Sequence, residues 1–109
     1  MKVGIDIVEV KRIGRLIKNK RFLERVFTPQ ERAYCMKKKN RAQHFAVRFA
    51  TKEAVWKALG LDTLALQHIG VKNRPDGKPE VTIRGKRAQG IDISLSHTDE
   101  YAVAVAIAK

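Results

Sequence analysis

The chain has 109 residues, 44% hydrophobic and 31% charged, which fits one globular domain with a single modest core and sets intrinsic disorder aside. No apolar run approaches the roughly 18–20 residues that span a bilayer, and the opening Met1-Lys2-Val3-Gly4-Ile5-Asp6 puts an acid where a signal peptide needs an unbroken apolar stretch, so a cytoplasmic chain is expected. Lys and Arg number 23 against 11 Asp and Glu, a formal charge of +12, which draws an anionic partner without choosing among nucleic acid, membrane, acidic protein or phosphorylated small molecule.

Taken in order, Lys2 to Val8 alternates, with Val3, Ile5 and Ile7 on one face and Gly4, Asp6 and Val8 on the other. That period predicts a strand, and it sets Asp6 in mid-strand, where aspartate is disfavoured. From about Glu9 to Arg25 the spacing of Val10, Ile13, Leu16 and Ile17 predicts one helix, whose remaining surface is densely basic. Thr28-Pro29-Gln30-Glu31 carries the signals of a helix start: Thr28 as N-cap, Pro29 at the first helical position and Glu31 completing a capping box. That short helix runs into Lys37-Lys38-Lys39-Asn40.

A long helix is expected from about Arg41 to Leu59, with Gly60 as its left-handed stop. With Glu53 at zero on a wheel of about 100° per residue, Ala42, Ala46, Ala50, Phe49 and Trp56 all fall within about 60° of it. Glu53 is therefore expected at the centre of the buried face, with Lys57 one turn further on. A carboxylate there has to be paired, metal-bound or turned to a cleft. An internal Glu53–Lys57 pair is one solution. A cation shared with Asp6 is another, since Mg²⁺ is commonly held by one or two carboxylates plus substrate phosphates. Arg48 and Lys52 flank the same helix as either a solvated edge or a phosphate clamp.

Beyond Gly60 the pattern turns to strands: Leu66 to Lys72, then Glu80 to Arg84 across a turn built on Asp76-Gly77, then Ile91, Ile93 and Leu95 in alternation, then Tyr101 to Ala108. Gly85 to Gly90 reads as a basic loop, and His97 stands in the turn between the last two strands. The alanines of the last strand suit a helix packed close to a sheet. The expected fold class is α+β, one module over residues 1–109 with a small, mainly antiparallel sheet around one long helix.

Three blocks, Gly4-Ile5-Asp6-Ile7-Val8-Glu9 with Arg12-Ile13, Arg48-Phe49-Ala50-Thr51-Lys52-Glu53-Ala54 with Lys57-Ala58-Leu59-Gly60, and Ser94-Leu95-Ser96-His97-Thr98, resemble in order and separation the holo-acyl-carrier-protein synthases. These form the short branch of the phosphopantetheinyl transferases. Phe27-Thr28-Pro29-Gln30-Glu31 and Gly77-Lys78-Pro79 look like that family too, so the resemblance covers nearly the whole chain. It implies transfer of the phosphopantetheine arm of coenzyme A to a serine of an apo acyl carrier protein. It implies Asp6 and Glu53 as Mg²⁺ ligands, and Lys57 on the pyrophosphate or on the departing serine proton. It also implies Arg48, Lys52, Lys57 and His97 along the coenzyme cleft. Arg12, Arg15 and Arg21 on the basic helix would receive the carrier protein. Short members assemble as homotrimers with interfacial active sites, which a one-module chain would need. The segment Gly60-Leu61-Asp62-Thr63-Leu64-Ala65-Leu66 departs from the family in lacking a second glycine after the long helix.

The competing reading is a small basic nucleic-acid-binding domain, for which the high isoelectric point is the expected footprint. Only 6% of residues are aromatic, and they are not interleaved with Lys and Arg as single-strand binding requires. That reading also leaves Asp6 and Glu53 without a purpose, and the resemblance has no place for nucleic acid or membrane.

Overall fold

The computed structural model describes residues 1–109. Strand β1 (Lys2–Glu9) leads into helices α1 (Val10–Leu16), α2 (Lys20–Val26), α3 (Pro29–Met36) and α4 (Arg41–Leu59). A 3-10 turn (Leu66–His68) precedes β2 (Ile69–Asn73), β3 (Pro79–Ile83), β4 (Lys86–Arg87), β5 (Ile91–His97) and β6 (Tyr101–Ala108). The strands form two antiparallel three-stranded sheets, β1-β6-β5 and β2-β3-β4, where the sequence pattern led us to expect one sheet.

The first sheet is built to take α4 at close range. Lys2, Gly4, Asp6 and Val8 of β1 lie opposite Ala108, Ala106, Ala104 and Ala102 of β6. These pair in turn with Ile91, Ile93, Leu95 and His97 of β5. The alanines are almost wholly buried, and a Cβ on Gly4 would overlap the Ala54 carbonyl oxygen and stand 2.7 Å from the Ala58 nitrogen. Gly4 is thus where strand and helix backbones approach most closely. Of the two faces that alternation in β1 leaves open, the one with the small residues takes the helix, and Val3, Ile5 and Ile7 stay about 60% exposed on the other.

Other differences from expectation are local. The helix expected over residues 9–25 is two helices, because the Asn19 side chain accepts from the amides of Arg21 (2.9 Å) and Phe22 (3.2 Å) and starts a new one. The strand expected from Leu66 begins at Ile69, after the 3-10 turn, and the basic loop 85–90 contains β4, paired to Thr82 and Ile83. The capping box is present, with Thr28 N donating to Glu31 Oε1 and Glu31 N to Thr28 Oγ1. Gly60 closes α4 in the left-handed region at φ +64°, as the sequence predicts. Ile13, Phe27, Phe45, Phe49 and Val55 fill the core where α1, α2 and α4 meet. No helix is long and apolar enough to cross a membrane.

Candidate active site

Helix α4 lies over β6, with β1 on one flank and β5 on the other. Its buried surface is wider than the expected stripe. Ala46, Phe49 and Ala50 of the expected face are buried, but burial continues around the helix to Thr51, Lys52, Ala54, Val55 and Ala58, while Glu53 itself is half-buried at the edge that faces β1 and Trp56 is partly exposed. The close packing of Ala54 and Ala58 against Gly4 fixes that end of the helix on the strand.

The edge holds a cluster of charge. Lys57 Nζ lies 3.2 Å from Asp6 Oδ1 and donates to the Ile5 carbonyl at 3.0 Å, so it is tied to β1 and not to Glu53 one turn earlier. Two of its three N–H donors are thereby used and one remains. The Asp6 side chain is only 16% exposed, and that of Lys57 is 47% exposed. Burial raises the pKa of Glu53, the negative charge of Asp6 raises it further, and Lys57 and Arg12 oppose both. Two carboxylates from different elements therefore repel at one edge of α4, with α1 bringing Arg12 close enough for its charge to be felt.

That donor set suits a hard cation. It consists of carboxylate oxygens alone, and no group of three or more His, Cys, Asp or Glu gathers anywhere in the fold. Asp6 and Glu53 could hold a metal whose remaining positions are filled by water and by oxygens of a phosphorylated ligand.

Lys52, expected along the cleft, is elsewhere. It is fully buried, with Nζ 2.5 Å from Glu31 Oε1, and it donates to the carbonyls of Leu66 (3.3 Å) and Ile69. Glu31 also accepts from Thr28 N at 2.8 Å and, through Oε2, from Val71 N at 2.7 Å. Burial lowers the pKa of Lys52 and the Glu31 carboxylate opposes that shift. With every donor engaged, this ammonium has nothing left for a ligand. Glu31 was legible as a capping residue, but nothing local in the sequence announced its buried partner.

Arg48 and His97 each lie close enough to His44 for their charge to be felt there. Arg48 is 6% exposed, stacks 4.6 Å from the Tyr34 ring centroid, makes one long bond to the His44 carbonyl (3.4 Å) and leaves Nε without a partner. Lys38 sits over the same ring at 4.6 Å, and the His44 ring meets it edge-on at 5.9 Å. Burial lowers the pKa of His44, as do the positive charges of Arg48, Lys38 and His97, in that order. No carboxylate offsets them there. A concavity of about 570 Å³ opens beside Tyr34 and Arg48 and reaches Lys72 and Arg84. Neither Asp6 nor Glu53 lines it. Nothing local to His44 or Tyr34 signals their meeting, which depends on how α3 packs on α4.

Arg12, Arg15 and Arg21 are all exposed, Arg15 with its guanidinium 4.0 Å from Glu9. Because of the break at Asn19, Arg21 belongs to a different helix from the other two.

A model of the 4'-phosphopantetheinyl transferase superfamily matches residues 2–106 of the chain. The holo-[acyl-carrier-protein] synthase of Geotalea daltonii is 44% identical, covering 95% of this chain and 94% of its own. That of Thermodesulfovibrio yellowstonii is 45% identical, covering 96% and 95%. Among solved structures, the fold is similar to the Bacillus anthracis holo-(acyl-carrier-protein) synthase in complex with CoA (3',5'-ADP), at 33% identity and TM-score 0.82 over 96% of this chain and 92% of that one. It is equally similar to the Helicobacter pylori synthase in complex with coenzyme A, at 30% identity and TM-score 0.82 over 98% and 99%.

Proposed function

This chain belongs to the 4'-phosphopantetheinyl transferase superfamily, and on that premise we propose that it moves the phosphopantetheine arm of coenzyme A onto a serine of an apo acyl carrier protein. The serine oxygen attacks the phosphorus that bears the arm. The bond from that phosphorus to the bridging oxygen breaks, and adenosine 3',5'-bisphosphate leaves. Transfers of this kind ask a protein mainly for in-line positioning and for positive charge on the phosphate oxygens. The observation that carries the reading is the pair Asp6 and Glu53, brought within each other's charge from β1 and α4 with Lys57 on Asp6 and Arg12 nearby.

In that site Asp6 and Glu53 would hold Mg²⁺, which supplies charge stabilisation to the pyrophosphate. Lys57 keeps one N–H for a phosphate oxygen while its bond to the Ile5 carbonyl fixes its position. Arg12, with Arg15 and Arg21 beyond it, presents the basic approach for an acidic carrier protein. The unpaired Cys35, buried with its pKa raised to about 11, accords with a reducing cytoplasm, where we place the reaction.

Two features support a homotrimer with active sites between subunits. The outer face of the β1-β6-β5 sheet leaves Val3, Ile5 and Ile7 bare beside the half-buried Val103, Val105 and Ile107, an apolar patch of the kind that marks an interface. Asp6 and His97 also flank α4 on opposite sides, on edge strands about 10 Å apart across the sheet. Arg48 stands about 140° around α4 from Glu53. A coenzyme that meets both the carboxylates and the Arg48 and His97 side chains is best accommodated where the β1 side of one copy faces the β5 side of the next.

The experiment is a mass measurement on an apo acyl carrier protein incubated with the protein and coenzyme A. A gain of one phosphopantetheine with Mg²⁺ and none with chelator is expected. No gain with any of several carriers would overturn the reading. Light scattering is expected to give three copies, and a fully active monomer would refute the interfacial site.

A further inference from the structure

Trp56 is the chain's one tryptophan, and the reading above leaves it without a part. It sits on α4 one turn after Glu53 and next to Lys57, about 60° around the axis from the carboxylate. Its Nε1 donates to the Leu64 carbonyl at 2.9 Å, yet 36% of the residue remains exposed. Fixing an indole by its polar edge while over a third of the residue stays in water forgoes part of the burial it would otherwise gain. The same bond anchors the segment after the helix. Gly60 turns the chain at φ +64°, Leu64 is buried, and Leu61 between them is 48% exposed at the same end of α4. The remaining large exposed apolar residues lie on the opposite, outer face of β1, at the strand ends or on α3.

Resting on the assignment of Asp6, Glu53 and Lys57 to the pyrophosphate, we propose that Trp56 and Leu61 form the apolar wall along which the pantetheine arm of coenzyme A lies. The arm is esterified to the phosphate held at the carboxylate edge, so it must leave within a few ångströms of that edge. It is uncharged and carries a gem-dimethyl carbon and two amides. On a chain with formal charge +12, Trp56 and Leu61 are the exposed apolar surface on the Glu53 side of α4 that matches it.

The lone tryptophan makes the test direct on the full-length protein. Calorimetry with Mg²⁺ first establishes that coenzyme A and adenosine 3',5'-bisphosphate both bind, and binding by neither overturns the functional reading and this one with it. When both bind, coenzyme A is expected to blue-shift Trp56 emission, and the bisphosphate, which lacks the arm, to leave it unchanged. Trp56→Ser is expected to raise the KM for coenzyme A about tenfold with kcat within about twofold, and to spare affinity for the bisphosphate. Trp56→Phe should recover most of the lost affinity. Equal emission changes with the two ligands, or equal weakening of both by Trp56→Ser, would assign the residue to holding the helix end and refute the proposal. An emission change with apo carrier protein or on dilution, and none with coenzyme A, would give the wall to the carrier or to a second copy and refute it as well.

Discussion

Helix α4 carries two lysine–carboxylate pairs five residues apart, and they differ in all but their chemistry. Lys52 and Glu31 are buried, 2.5 Å apart, and saturated by the amides of Thr28 and Val71 and the carbonyls of Leu66 and Ile69. Lys57 and Asp6 are 3.2 Å apart at a half-open edge, with a donor to spare and a second carboxylate, Glu53, close enough to repel. A saturated dry pair can only hold elements together, here α3, α4 and β2. An unsaturated wet one still has bonds to offer a ligand. Residue type at this spacing does not decide between structure and chemistry; burial and completeness do.

The contrast breaks most visibly at the dry pair. Lys52→Met leaves the Glu31 charge buried without its partner, and a loss of about 3–5 kcal/mol is expected in chemical denaturation. Removing both charges together, with Glu31→Gln, should return part of it. Gly4→Ala attacks what lies between the two pairs, forcing strand and helix apart. A loss of about 1–3 kcal/mol is expected, with transfer reduced in proportion to the displacement of Asp6 from Glu53. At the wet pair the balance reverses. Lys57→Met should change stability by less than about 1 kcal/mol and lower turnover by about a hundredfold, read by the carrier mass assay.

The smallest effect is in pH. Because the folded-state pKa of Glu53 is raised, the folded protein binds its proton more tightly than the unfolded chain does. Stability is therefore expected to fall as pH rises from the ordinary glutamate value of 4.5 through the elevated one. Glu53→Gln should melt higher than wild type at neutral pH without metal and show no such advantage at acid pH.

Much of this was legible because it is written locally. The capping box, the glycine stop at Gly60, the alternation of β1 and the turn between β2 and β3 each rest on a few neighbouring residues. The Asn19 cap is also a local signal, yet the apolar stripe running through Ile17 masked it. What could not be read depends on partners distant in sequence. How α4 seats on the sheet is set by Gly4, about fifty positions earlier, so a wheel drawn from the helix alone finds Ala46, Phe49 and Ala50 buried but not that burial continues to Lys52 and leaves Glu53 at its margin. The gathering of Lys38, His44, Arg48 and His97 likewise needs α3, α4 and β5 in place first. The resemblance to the transferases implies Asp6, Glu53 and Lys57 together, and the fold brings the three to one edge; at Lys52 it carries over a position that the structure buries.

The most direct test is the Glu53→Gln variant, followed in the carrier mass assay with Mg²⁺ and, in parallel, by thermal melting. The expected result is a protein at least as stable as wild type that has lost most of its Mg²⁺-dependent transfer. Near-wild-type transfer by a folded Glu53→Gln protein would contradict it, because the carboxylate pair would then not be what holds the metal.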